Sequence, residues 1–357
     1  MLYKLFVDLT NHVTFFNVFR YITFRILLSI LTSMTIVFFM TPWVIEKLRS
    51  LSIKDEVRKD YLPEHASKEG TPTMGGVLIV FSIFISSILW NDLSNNFVWY
   101  ANIILLSFAG IGLADDILKI KKGKKGLRGS VKFILESIIA IIIGGLIYIH
   151  PSFDTHLVVP FFKNISPDLG ILYILFVWLV VVGTSNAFNL TDGLDGLATG
   201  PMITTSSVYL IFSYVIGNAI FSNYLGFPFV KGTEELAIML GSVIGAGIGF
   251  LWFNTYPAQY FLGDVGSVSM GGLLGVIAVM VKQELLLVIA GGIFVVEALS
   301  VIIQVGVYKT TKKRIFLMSP IHHHFQKLGW DEPKITVRFW IISIILSLIA
   351  LSSLKLR

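Results

Sequence analysis

The 357-residue sequence contains no cysteine, which excludes disulfide bridges, thiolate catalysis and cysteine-ligated metal centres. It is also poor in charge, because Asp, Glu, Lys and Arg make up 14% of the residues, against about 25% in soluble globular proteins. It contains no Walker A or dinucleotide-binding fingerprint. Hydrophobic residues reach 55%. This composition predicts an all-α integral membrane protein with no nucleic-acid partner.

The sequence contains many long apolar segments. A bilayer core requires about 20 apolar residues per helix, and this length predicts about ten transmembrane helices in a single domain over residues 1–357. Residues 1–22 are predicted to form an interfacial or periplasmic helix without a cleavable signal peptide. The predicted segments are 23–45, 74–91, 97–116, 131–149, 169–188, 197–217, 235–253, 262–281, 285–307 and 338–355.

The loops between these segments differ in basic residues. Loops 46–73, 117–132 and 308–338 contain six, seven and seven Lys and Arg, whereas three loops on the other side contain one each. Cytoplasmic loops carry the excess of Lys and Arg in membrane proteins. The pattern therefore predicts that the rich loops are cytoplasmic and that both termini are periplasmic.

Acidic residues recur at the predicted cytoplasmic ends of the helices, at Asp115, Asp116, Asp192, Asp195 and Asp264. Ionisable groups near membrane depth are costly, and they require partners or a function. Several carboxylates are typical of an Mg²⁺ site that also receives substrate phosphates. The alternatives are helix capping and, for the first pair, a solvated helix end whose following lysines fix the topology.

Two further patterns indicate anion binding. Lys68, Arg128 and Lys132 lie near helix starts, where cations can clamp an anionic substrate, although topology alone would also explain them. The last cytoplasmic loop contains SPIHHHFQKLGW (319–330). Three consecutive histidines cannot all face one ion from regular structure, so we expect at least one to contact phosphate or to orient an acid.

Glu297 and the GSVIGAGIG run (241–249) lie inside predicted helices. Glu297 indicates that the ninth segment is kinked or that this residue faces the protein interior. The small residues at four-residue spacing predict a helix-packing surface rather than a nucleotide-binding loop.

Five motifs together resemble the polyprenyl-phosphate N-acetylhexosamine-1-phosphate transferases, over nearly the whole chain. They are GTPTMGG (70–76), LADD (113–116), NAFNLTDGLDGLA (186–198), FLGDVGS (261–267) and PIHHHF (320–325). The second and third are typical of the superfamily, and TPTMGG and PIHHHF resemble its muramoyl-pentapeptide branch. Ser67, which precedes Lys68, is a minor variation from the pattern of this branch.

The resemblance implies an enzyme of the bacterial cytoplasmic (inner) membrane with its active site at the cytoplasmic face. Its implied reaction is attack of undecaprenyl phosphate on UDP-MurNAc-pentapeptide, with Mg²⁺, giving lipid I and UMP. Membrane lipid and a second copy of the chain are implied partners. A sister transferase that uses another UDP-aminosugar, or a lipid or anion transporter, remains an alternative.

The residue roles predicted with this resemblance fall into two sets. The catalytic set is Asp115, Asp116, Asp264, His322, His323 and His324. Within it, Asp264 and Asp116 are the predicted metal ligands, and Asp115 accepts a proton or, in a rival two-step mechanism, attacks phosphorus. The substrate-binding set is Lys68, Thr73, Lys132, Asn189, Asp192, Asp195, Asn254, Phe261 and Gln304, with Phe261 stacking on the uracil.

Overall fold

A computed structural model describes residues 1–10, 12–50, 70–122, 126–162 and 165–356. These residues form helices joined by short loops, and none of the described elements is a strand, although an isolated bridge joins His156 and Asp168. The all-α prediction is therefore confirmed for the described part of the chain.

Fourteen α-helices and one 3₁₀ helix (Thr14–Arg20) are described. The α-helices are α1 (Leu2–Leu9), α2 (Ile22–Ser50), α3 (Gly76–Trp90), α4 (Asn96–Lys122), α5 (Gly129–Tyr148), α6 (Leu172–Thr191), α7 (Thr199–Ile216), α8 (Ala219–Leu225), α9 (Glu234–Asn254), α10 (Gly263–Met280), α11 (Leu287–Ala290), α12 (Gly292–Thr311), α13 (Ile321–Lys327) and α14 (Glu332–Ser352). Each predicted segment falls on a helix, and the ninth is interrupted between α11 and α12.

Eight of the described helices are long and apolar enough to cross a membrane, as expected for an integral membrane protein. They are α2, α4, α5, α6, α9, α10, α12 and α14. Helix α7 forms a pair with α8 that bends by 102° and would count as a ninth span. Helix α3 is apolar but has 15 residues. The count of ten spans and the sides of the termini remain predictions.

Glycines bring helices α2 and α9 into close contact. A side-chain carbon at Gly245 would overlap the carbonyl oxygen of Ile30, and one at Gly249 would lie 3.1 Å from the carbonyl oxygen of Met34. Small residues allow such backbone approach between membrane helices. The prediction that the 241–249 run packs against another helix is confirmed.

Helix α10 lies between α4 and α6, and 89% of its residues are buried. Gly272 packs against the ring of Phe108 on α4, and Gly271 packs against the α6 backbone at Thr184 and Ser185. The first turn of α10 is thereby held beside the last turns of α4 and α6. Those are the places where the predicted site acids lie.

Candidate active site

Three aspartates from two distant motifs meet where α4 ends and α10 begins. Asp115, Asp116 and Asp264 each offer a carboxylate oxygen, and these oxygens lie within 4.8 Å of one another. Asp115 and Asp116 are buried, whereas the side chain of Asp264 is 17% exposed. Gly112 permits this meeting, because a side chain there would overlap the backbone of Asp264.

Two lysines neutralise part of this charge. The Nζ atom of Lys119 lies 2.7 Å from Asp115 Oδ2, 3.6 Å from Asp116 Oδ1 and 3.0 Å from Asp264 Oδ2. Lys132 Nζ donates to Asp264 Oδ2 at 2.9 Å. From the sequence, Lys119 was one of five lysines expected to fix the topology; a lysine was also one of the possible partners of the two aspartates, but no particular lysine was assigned to them. The missed signal was its spacing of four and three residues from the two aspartates, since such residues are neighbours on a helix.

Each carboxylate is also fixed by a neutral donor. Asn189, near the end of α6, donates to Asp264 Oδ1 at 3.1 Å. The backbone N–H of Val265 donates to Asp116 Oδ2 at 3.2 Å, and that of Leu127 donates to Asp115 Oδ1 at 2.5 Å. Donors from three different segments therefore hold the carboxylates in place.

The carboxylate oxygens of the three aspartates are suitable ligands for a divalent cation. Asp115, Asp116 and Asp264 provide the hard oxygen ligands that Mg²⁺ prefers. The ammonium of Lys119 lies among the same oxygens, which shows that the cluster stabilises positive charge at this point. The Lys119 side chain is 41% exposed, so its ammonium has room to swing towards solvent and leave these oxygens to another cation.

Capping does not account for the predicted site acids on α6 and α10. Asp264 lies inside the first turn of α10, after its N-cap Leu262. Asp192 ends α6 as its C-cap, while α7 begins after Ala198. The alternative in which Asp192 or Asp264 serves as an N-cap is therefore wrong.

Asp192 and Asp195 lie in the 192–196 turn, which follows α6. Withdrawal from water, with the negative charges of Asp264, Asp116 and Asp195, raises the pKa of Asp192 to about 8. Asp192 is therefore electrostatically part of the acidic group. Asp195 instead accepts a hydrogen bond from the Ala258 N–H at 3.0 Å through Oδ2, which ties the turn to the loop before α10.

Asn254 and Gln304 bond mainly to the protein backbone. Asn254 accepts from the Gly196 N–H at 3.0 Å and donates to the Tyr260 carbonyl at 3.0 Å. Gln304 donates to the Phe316 carbonyl at 3.1 Å and accepts from the Phe316 N–H at 3.0 Å. Both side chains brace loops, and their contacts with substrate remain predictions.

The 70–76 motif forms a backbone ladder with the loop before α10. The N–H groups of Gly75 and Gly76 donate to the carbonyls of Phe261 and Leu262 at 2.8 and 2.7 Å. The Phe261 N–H donates to the Pro72 carbonyl at 2.8 Å. These bonds place Thr73 and Phe261, both half-buried, on two adjacent segments of backbone. Lys68 lies outside the described residues.

The three histidines of α13 have three different partners. His322 is buried, and its Nδ1 lies 3.1 Å from Glu297 Oε2. His323 Nδ1 lies 2.7 Å from Gln326 Oε1, and His324 Nδ1 accepts from the Leu317 N–H at 3.1 Å. The expectation that they do not share one ion is consistent with this arrangement. Glu297 faces the interior, as one of the two readings predicted.

The sequence itself matches known protein families. Residues 98–282 match the sequence profile of glycosyl transferase family 4, which defines the class of this chain. Residues 68–80 match signature 1 of the phospho-N-acetylmuramoyl-pentapeptide-transferases.

Full-length relatives give the particular family. Proteins of that name from Citrifermentans bemidjiense and from Geobacter sp. strain M21 are each 52% identical to the chain, with all of both chains covered. The one from Syntrophus aciditrophicus is 51% identical over the same coverage. The chain belongs to this family of membrane enzymes, the phospho-N-acetylmuramoyl-pentapeptide-transferases.

Proposed function

We propose that the chain transfers phospho-MurNAc-pentapeptide from UDP-MurNAc-pentapeptide to undecaprenyl phosphate, giving lipid I and UMP, in a reaction that depends on Mg²⁺. The observation that carries the proposal is the meeting of three aspartates with Lys119 and Lys132 at one end of the helices. A reaction between two phosphate anions requires cations at the place where they meet. The family name of the relatives supports the donor.

The lysines and aspartates divide the work of binding the phosphates. Lys119 and Lys132 can transfer their hydrogen bonds from Asp264 to oxygens of the diphosphate, because each offers three donors on a flexible stem. Asp264 and Asp116 would hold Mg²⁺. When bound there, the ion would offset the negative charge that develops on the phosphates during the reaction. Asn189 keeps Asp264 oriented through its 3.1 Å hydrogen bond.

Asp115 has two candidate roles. As a proton acceptor it would contribute little, because a phosphate monoester has a second pKa near ~6 and is mostly ionised at neutral pH. As a nucleophile its carboxylate would attack the β-phosphate, form an aspartyl phosphate and release UMP, and the lipid phosphate would then displace the aspartate.

An exchange experiment separates the two roles. In the two-step mechanism, labelled UMP exchanges into UDP-MurNAc-pentapeptide without any undecaprenyl phosphate, because UMP leaves first. In the one-step mechanism, exchange requires the lipid product. The matched control is Asp115→Asn, which abolishes lipid-independent exchange if Asp115 is the nucleophile.

The same proposal places the enzyme in the bacterial cytoplasmic membrane with this site at the cytoplasmic face, as a homodimer. The lysine-rich loops beside α4 and α12 support the orientation, since positive loops are retained in the cytoplasm. A water-soluble nucleotide sugar and a lipid phosphate can both reach a site at that depth.

A donor assay tests the function against its rivals. Purified protein receives UDP-MurNAc-pentapeptide or UDP-GlcNAc, with and without undecaprenyl phosphate, and UMP release is measured. We expect repeated turnover, with UMP released in excess of the enzyme, only with the muramoyl donor, Mg²⁺ and the lipid together. Preference for UDP-GlcNAc would identify a sister transferase, and lipid transport without UMP release would identify a transporter.

A further inference from the structure

A buried acid–base pair lies behind the 192–196 turn. Glu297, on α12, has no exposed surface, and His322, on α13, is 1% exposed. Glu297 Oε2 and His322 Nδ1 are 3.1 Å apart. Among the described residues, neither carboxylate oxygen and neither ring nitrogen has a well-directed hydrogen-bond partner. A buried carboxylate is costly without compensation, and the imidazole is placed to provide it.

The His322 ring packs directly against the backbone of the turn at Gly193. A side-chain carbon at Gly193 would overlap Nε2 of His322 and lie 2.8 Å from its Cε1. Gly193 follows Asp192 directly in the chain. The position of the imidazole therefore limits how far the Asp192 backbone can retreat from the acidic group.

The far half of the turn is held by different residues. The Asp195 N–H donates to Glu332 Oε1 at 2.7 Å, and Trp340 Nε1 donates to the Gly196 carbonyl at 3.0 Å. Both partners are on α14. Support from α14 thus reaches residues 195 and 196, while His322 supports the half that carries Asp192.

We propose that Glu297 and His322 are a pair of positioning residues for the nucleotide-sugar donor. Glu297 Oε2 lies 3.1 Å from Nδ1 of His322, and its charge favours the orientation in which the Nδ1 side of the ring faces it, as carboxylates do for histidines elsewhere. The ring then sets the position of Gly193 and Asp192. This inference rests on the proposed function, in which Asp192 contacts the donor, and it makes His322 act through the turn rather than on the reacting atoms.

A double-mutant cycle tests the pair. Glu297→Gln, His322→Gln and the double variant are compared by the KM of UDP-MurNAc-pentapeptide, the KM of undecaprenyl phosphate, and the Kd of UMP measured calorimetrically. We expect each single variant to raise the donor KM and the UMP Kd about tenfold, which is roughly 1.4 kcal/mol. The lipid KM should stay within about twofold, and the double variant should be no worse than either single one, because paired residues are not additive.

Two further variants keep the test decisive. Ile302→Ala, a residue of α12 that is 65% exposed, is the control and should change neither KM. Gly193→Ala keeps both side chains of the pair but places a methyl group where it overlaps the His322 ring, so the turn or the ring must shift and the donor KM should rise as well. It also serves if the Glu297 variants fail to fold.

Three results would overturn the inference: additive effects in the cycle, an unchanged donor KM and UMP Kd in folded Glu297→Gln, or an unchanged donor KM in Gly193→Ala. The UMP measurement separates this inference from the proposed function. A wild-type protein that binds UMP but does not use UDP-MurNAc-pentapeptide would refute the function, while the changes in UMP Kd would still decide the role of the pair.

Discussion

The two ends of the helix bundle treat buried charge differently. At the end away from the site, Arg25 donates to both carboxylate oxygens of Glu235, at 2.9 and 2.6 Å. Lys282, 1% exposed, bonds to the carbonyl and carboxylate oxygens of Asp154 at 2.8 and 3.2 Å. At the site end, by contrast, the single ammonium of Lys119 lies within 3.6 Å of three different aspartates.

The difference separates charges that hold the fold from charges that can change partners. Arg25 and Glu235 satisfy each other in a two-bond pair that leaves little for a ligand to gain. The acids at the site outnumber their lysines, and Lys119 is 41% exposed. Ionic contacts of this second kind can be exchanged for phosphate or metal contacts at low cost, because the lysine returns to water rather than to an apolar interior.

The sharpest test of the site end is Asp264→Asn. The amide keeps the shape but loses the charge that attracts Lys119, Lys132 and the cation, so we expect transfer to fall by at least about 10³-fold. UMP release measures the loss, and an unchanged melting temperature in detergent shows that folding is intact. Near-normal turnover in a folded variant would refute the metal assignment.

Arg25→Met tests the opposite end. It leaves Glu235 buried without its partner, so we expect a loss of about 3–5 kcal/mol of unfolding free energy, with kcat/KM of the folded fraction unchanged. Unfolding by a denaturing detergent measures the first quantity. The matched control is Arg25→Met with Glu235→Leu, which should recover most of the stability. An altered kcat/KM would contradict the separation of the two ends.

Glu284, at the end of the bundle away from the site, makes the free energy of unfolding depend on pH. It follows α10, accepts a hydrogen bond from Tyr173, and is 2% exposed. Burial, above all, raises its pKa from 4.5 to about 7. The neutral carboxyl therefore contributes stability that is complete below about pH 4.5 and is lost as the pH rises to about 7, on the order of 3 kcal/mol.

Glu284→Gln provides the measurement for this pH dependence. Because the amide does not ionise, the free energy of unfolding of the variant should no longer fall by this amount between pH 4.5 and 7. An unchanged slope would show that Glu284 does not titrate in this range.

The smallest expected effect is that of Lys119→Met on metal binding. Removing an ammonium 3.6 and 3.0 Å from the proposed ligands Asp116 and Asp264 should tighten Mn²⁺ binding, by about tenfold or roughly 1.4 kcal/mol. Electron paramagnetic resonance of the free ion measures this without any turnover. Lys121→Met is the control on the same helix. Weaker binding in the Lys119 variant would show that the lysine supports the metal rather than competing with it.

Much of the fold could be predicted because apolar length alone defines membrane helices. The ten predicted segments coincide with helices to within a few residues at most ends. A kink in the ninth segment was one of two alternatives drawn from Glu297, but the place of the interruption, between Ala290 and Gly292, was not predicted. The meeting of Asp115 and Asp264 followed from motif placement at one face.

Other parts of the site depend on tertiary contacts that have no local signal. Glu297 and His322 are separated along the chain by the loop before α13, and only the packing of α13 against α12 brings them together. Asn254 and Gln304 were predicted to bind substrate, but their backbone partners lie in loops whose course the sequence does not define. Lys119 was hidden among neighbouring lysines with a sufficient topological explanation.

The ladder between residues 72–76 and 261–262 has a consequence for how the loops can vary. Three backbone hydrogen bonds, from Phe261, Gly75 and Gly76, fix these segments in one register. An insertion or deletion in either segment would shift Phe261 relative to Thr73 by a whole residue, whatever side chains were kept. A change of loop length at one of these places therefore requires a matching change at the other, and grafting one loop from a relative requires grafting the other.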